Sequence, residues 1–130
     1  IGDEKDRALT HIVIEHSPRL EASHDLQGLC DALWDTFASH PEISAPDTVR
    51  VRTIASTASR TGGEPQSFAH ATLLLLPGRD EATRRELAEL VLNTLDEFLY
   101  DVGSLTVRVD HLEAPYIKRV LTSTQEAAHG

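Results

Sequence analysis

The sequence predicts an α/β (α+β) domain of order β-α-β-β-α-β, a four-stranded mixed sheet with two helices on one face. Three observations carry this. The stretch from Phe68 to Val102 passes from a β-rich apolar run through a Pro-Gly turn into an amphipathic helical pattern. A strand-then-helix succession of the same kind precedes it between His11 and His40. Further β-rich runs, Thr48–Ile54 and Leu105–Asp110, follow each helix, so each helix bridges two strands that a right-handed crossover makes parallel. The architecture is duplicated although the sequence is not.

In chain order, residues 1–9 carry five charges and little to bury, which reads as a flexible arm. Ile1 is not a translational start, so the amino terminus is expected to be processed, trimmed or left out. His11-Ile12-Val13-Ile14-Glu15-His16 is the first strand, closed by Ser17-Pro18. Asp25 is placed to cap a helix to about His40, with Leu26, Leu29, Leu33 and Phe37 on one stripe and Cys30 and Trp34 beside it. Pro41 to Asp47 breaks that helix. Thr48-Val49-Arg50-Val51-Arg52-Thr53-Ile54 alternates as a strand with one apolar face. Ser56 to Ser67 is a loop rich in Ser, Thr and Gly. Phe68 to Leu76 is a buried strand, and Pro77-Gly78-Arg79-Asp80 turns the chain, with Asp80 as the next cap. Leu87, Leu90, Val91, Leu95, Phe98 and Val102 form the buried face of the second helix, which Gly103 is expected to end. Leu105 to Asp110 is the fourth strand. Pro115 to Val120 fits either a turn of helix or an extended segment, and residues 121–130 read as a flexible tail. Residues 10–120 thus make one domain. Two helices cover one side of the sheet, while Leu73 to Leu76 is apolar on both, so a second sheet and an oligomer are expected.

Composition narrows the function. One hundred and thirty residues, 40% hydrophobic and 25% charged, suit one globular core. A net charge of −9 argues against nucleic acid or an anionic membrane as partner, but leaves room for a small anion held by local arginines. The single cysteine, Cys30, excludes an internal disulfide and reads as a buried packing thiol. Without an apolar run of membrane-spanning length or a visible signal peptide, a cytoplasmic location is expected. Seven histidines form no His-x-His or His-x-x-x-His pair, so no metal and no other cofactor is expected. Arg79 stands where a strand meets a helix beside Gly78, a junction at which α/β proteins gather anion-binding groups.

His11-Ile12-Val13-Ile14-Glu15, Asp25-Leu26-x-Gly28-Leu29, Val49-Arg50-x-Arg52, and Phe68-x-His70-x-Thr72-Leu73 followed by Gly78-Arg79 and Arg84 resemble the 5-carboxymethyl-2-hydroxymuconate isomerase family of the tautomerase superfamily. The resemblance runs from about Thr10 to Val120. It implies a tautomerase-like protomer, a homotrimer whose sheets line a central barrel, and keto–enol tautomerisation of a small unsaturated carboxylate. It also implies that Arg50 and Arg79 bind substrate carboxylate. Family members use an amino-terminal proline as proton carrier, a secondary amine whose pKa a cation-rich pocket lowers towards neutrality.

Here Thr10 occupies the proline position, with nine residues before it, and its backbone nitrogen is an amide rather than a free amine. The standard base is therefore missing, and weak or absent ketonisation is expected. Among the titratable groups near the strand ends, His11 and His70 match family histidines and read as structural, while His16 and Tyr116 stay as substitute bases. Two functions remain in view. One is an isomerase of this type, and the other is a non-catalytic trimer that binds a small anion or plays a structural part.

Overall fold

A computed structural model describes residues 9–43, 45–112 and 115–121. Four strands, β1 (Thr10–His16), β2 (Val49–Ala55), β3 (Phe68–Leu75) and β4 (Ser104–His111), and two helices, α1 (Leu26–Ala38) and α2 (Glu81–Phe98), follow the expected order. The sheet runs β2-β1-β3-β4, with β1 parallel to β2, β3 parallel to β4, and an antiparallel seam between β1 and β3. It is the mixed four-stranded sheet of the sequence reading.

Alternation decides which residues the helices cover. Thr10, Ile12, Ile14 and His16 of β1 are buried, as are Ala69, Ala71, Leu73 and Leu75 of β3. Against them pack Leu29, Leu33 and Phe37 from α1 and Leu87, Val91 and Leu95 from α2, all fully buried. Burying such a side chain contributes roughly 1.5–3 kcal/mol, so this one layer supplies the main apolar stabilisation. Both helices begin where a carboxylate accepts an otherwise unpaired backbone N–H. Asp25 accepts from Gly28 N at 2.9 Å and Asp80 from Thr83 N at 2.8 Å.

Several local expectations are corrected. The second helix ends at Phe98 rather than at Gly103. Gly103 instead lies where a Cβ would stand 2.7 Å from the Pro65 carbonyl oxygen, so close backbone approach explains the residue. Thr48 closes a short 3-10 turn, Pro46–Thr48, before β2 begins. Of the two alternatives for Pro115 to Val120, the turn of helix is not the one taken. Cys30 is half-buried, and burial pushes its thiol pKa up, which keeps it a poor nucleophile. Leu9, placed in the arm by the sequence, is completely buried; the rest of that arm and residues 122–130 lie outside the described residues.

The sheet's other face is less apolar than the leucine run implied. Leu73 and Leu75 point to the helices and only Leu74 to the open side. The register sets Arg50, His11, Leu74 and Asp110 in one row across that side, then Arg52, Val13, Thr72 and Arg108, then Ile54, Glu15, His70 and Thr106. This is a polar surface with a few apolar members.

Candidate functional site

The starts of β1 and β2 and the ends of β3 and β4 meet at one end of the sheet, because β1 runs with β2 and against β3. Thr10, Arg50 and the connection carrying Arg79 all belong to this end. Thr10 is fully buried, on the helix-facing side of β1, and its neighbours across the sheet are Val49 and Leu75.

One residue further on, the strand turns His11 to the open face beside Arg50. The segment after β4 returns to this point: the Tyr116 hydroxyl lies 3.1 Å from His11 Nε2, and the two rings meet edge to face at 5.9 Å. Burial, and then the positive charges of Arg50, Arg52 and Lys118, lower the His11 pKa below its ordinary value. His11 is thus hydrogen-bonded to a phenol within the electrostatic reach of three cations, and its lowered pKa favours the neutral imidazole. A neutral imidazole can accept a proton, while those cations favour a carboxylate or a developing enolate.

Arg79 sits differently. Gly78 takes φ 128°, a conformation open to glycine, and this swings Arg79 towards the α1–β2 connection. There its Nη2 donates to Glu42 O at 2.9 Å. The Arg79 Nε and the Arg84 Nε are both buried and have no hydrogen-bond partner among the described residues. Buried donors of this kind are costly when unpaired, which makes them receptive to an anion. Arg50 on the open face and Arg79 in the β3–α2 connection thus share an end of the sheet from different sides.

The remaining candidates separate. His16 closes the opposite end of β1, six residues from Thr10 and so roughly 20 Å away at about 3.3 Å per residue. It is buried under the helices with Nδ1 2.9 Å from Ser17 O, and cannot join this site. His70 is bonded to Thr106 Oγ1 at 2.7 Å on the open face. Tyr116 does join, through His11. Arg52 and Lys118 were not singled out from sequence. For Arg52 the signal was present: Arg50-x-Arg52 in a strand puts both on one face, and parallel pairing to β1 puts that face beside His11 and Val13. Among the described residues, no group of three or more His, Cys, Asp or Glu side chains could hold a metal ion, and no helix is long and apolar enough to cross a membrane.

A family model described as 5-carboxymethyl-2-hydroxymuconate isomerase matches residues 10–114. No curated protein gives a significant match. Among solved structures, the chain is similar to a 5-carboxymethyl-2-hydroxymuconate isomerase from Deinococcus radiodurans R1, at 18% identity and a TM-score of 0.76, covering 95% of this chain and 96% of that one. It is similar to a 5-carboxymethyl-2-hydroxymuconate delta-isomerase at 19% identity and a TM-score of 0.73, covering 95% of each chain. It also resembles the macrophage migration inhibitory factor of Trichinella spiralis, at 15% identity and a TM-score of 0.59, over 84% of this chain and 95% of that one. At these identities the likeness is one of fold.

Proposed function

The chain belongs to the 5-carboxymethyl-2-hydroxymuconate isomerase family, and we propose that it is a trimeric keto–enol isomerase of a small unsaturated carboxylate in which His11 stands in for the amine base. The single observation that carries this is the His11–Tyr116 contact at 3.1 Å, set among Arg50, Arg52 and Lys118. In the reaction, the cations hold the substrate carboxylate and offset the negative charge that develops on the enol oxygen. His11 takes the hydroxyl proton; the O–H electron pair closes the carbonyl, and the C=C pair takes the proton back from His11 to form a C–H bond. Tyr116 orients the imidazole. Arg79 reaches this end of the sheet from the other side, where it donates to Glu42 O, so Arg50 rather than Arg79 is the carboxylate ligand of this reading.

The trimer is supported by similarity in fold to a fused 4-OT symmetric trimer, at 17% identity and a TM-score of 0.61, and by the sheet face that the helices leave uncovered. A second reading, a non-catalytic trimer that only binds the carboxylate, is favoured by Thr10, whose nitrogen is an amide and which is fully buried. Ultraviolet assay of 2-hydroxymuconate ketonisation separates the two. Turnover that disappears when the His11–Tyr116 pair is removed supports the isomerase; saturable binding without turnover by the unaltered chain rejects it in favour of the second reading.

A further inference from the structure

At the far end of the sheet, three connections converge: the one after β1, the β2–β3 loop and the α2–β4 turn. They enclose an open cavity of about 390 Å³, large enough for a metabolite-sized molecule, with Ser17, Arg19, Ser23, His24, Ser59 and Asp101 in its wall. None of these was a site candidate in the sequence. Six strand residues separate this cavity from the site at Thr10 and His11.

The wall superficially suggests a hydrolytic triad, since Ser23 Oγ lies 3.0 Å from His24 Nδ1 and His24 Nε2 lies 2.7 Å from Asp101 Oδ1. The hydrogen bonds argue against it. Nδ1 also lies 3.1 Å from the Leu20 carbonyl oxygen, which can only accept, so Nδ1 carries a proton. Nε2 faces a carboxylate. With an acceptor facing each nitrogen, the protonated ring is favoured over one that keeps a lone pair for activating serine. The hydrogen bond to Asp101 accordingly raises the His24 pKa and lowers that of Asp101. Ser23 is left as an acceptor towards His24, with its own hydroxyl proton free to point into the cavity.

Arg19 adds a second positive charge. Its side chain makes no hydrogen bond or ion pair among the described residues, nor does that of Ser59. Its backbone is held at φ 68°, ψ 11°, the left-handed region that a non-glycine residue enters at an energetic cost. Ser17, by contrast, is fully occupied, accepting from Phe68 N at 3.1 Å and donating to Phe68 O at 3.3 Å. The cavity thus has a finished frame and, at its exposed rim, the Arg19 guanidinium and the Ser59 hydroxyl without a partner among the described residues, while Ser23 shares its hydroxyl with His24. With His24 protonated, one guanidinium and one imidazolium against one carboxylate make it locally positive on a chain of net charge −9. We propose that this cavity is a second binding site, for a small oxyanion of the carboxylate or phosphate class, with Arg19 as its principal ligand and the His24–Asp101 pair as its frame.

Arg19→Gly tests it, because glycine keeps the left-handed backbone at no cost and removes only the guanidinium. The full chain is titrated with inorganic phosphate and, separately, with succinate, while backbone amide shifts and thermal unfolding are followed. The expected result is saturable shifts at Ser23, His24, Ser59 and Asp101 with one or both anions, weakened at least tenfold in Arg19→Gly although that variant melts no lower than the parent. Ser59→Ala is expected to weaken the same titration to a smaller extent. Whichever anion binds more tightly identifies the class. Shifts confined to His11, Arg50 and Tyr116, no saturable shift at either end, or unchanged affinity in Arg19→Gly would each overturn the proposal.

Discussion

Removing His11 and removing the Tyr116 hydroxyl should differ sharply in consequence if the imidazole moves the proton and the phenol only orients it. A general base contributes about 10²–10⁴ in rate, so His11→Ala is expected to lower kcat/KM by that factor, or roughly 3–5 kcal/mol in transition-state energy. Tyr116→Phe keeps the ring that packs edge to face on His11 at 5.9 Å and deletes one hydrogen bond of 3.1 Å. Such a bond contributes about 0.5–1.5 kcal/mol, which corresponds to roughly a two- to thirteenfold loss. The double variant should be no slower than His11→Ala alone, because Tyr116 then has nothing to orient. The assay is the ultraviolet rate of 2-hydroxymuconate ketonisation across pH. In the parent the rate should rise with pH through a value below the ordinary histidine pKa of about 6.5 and then level off, since burial and the neighbouring cations depress the His11 pKa. Equal losses in the two single variants, or a parent profile with its midpoint above that value, would refute the assignment.

Deleting residues 1–9 and replacing Thr10 with proline restores a secondary amine at the start of β1, and is expected to raise ketonisation beyond what His11 alone supports if the arginines are poised for substrate; a folded variant without any gain counts against them. Sedimentation at micromolar concentration is expected to show a trimer, and a stable folded monomer would contradict it. Asp101→Asn should return the His24 midpoint, read by NMR, from its raised value towards about 6.5. The raised His24 pKa adds stability below the unfolded value that is lost as pH rises through the folded one. The lowered Asp101 pKa adds stability above about 3.8 that is lost on further acidification. Destabilisation by Asp101→Asn should therefore be greatest between these values and fade in alkali. Gly103→Ala should cost about 1–3 kcal/mol in denaturant unfolding, because its Cβ would meet the Pro65 carbonyl at 2.7 Å.

The sheet and helices were legible because their signals are local. Leu29, Leu33 and Phe37 recur at helical spacing, and Asp25 and Asp80 stand where a cap must stand. Both the alternation in β2 and the order of elements could be read before any strand was paired. The far-end cavity was not legible. Arg19, His24, Ser59 and Asp101 come from three connections with no periodicity, and only the closing of the sheet brings them together. The left-handed backbone at Arg19 has no sequence marker, since arginine is not a residue that favours it.

The Thr10 end lies between these cases, and it shows why a missing residue is a weaker guide than a present environment. The absence of proline could be read from the sequence, and it pointed to a pocket without a base. Which residue stands beside the cations depends instead on register. Pairing of β1 with β2 sets His11 against Arg50, and the chain after β4 returns Tyr116 and Lys118 to the same spot. His16, the same kind of side chain, is excluded by six residues of extended chain and by burial beneath the helices. Position 11 therefore combines an imidazole of lowered pKa with a cationic neighbourhood, while position 10 turns its side chain into the core. If proton transfer survives in this chain, the one-residue step from the buried to the open side of β1 is what moved it.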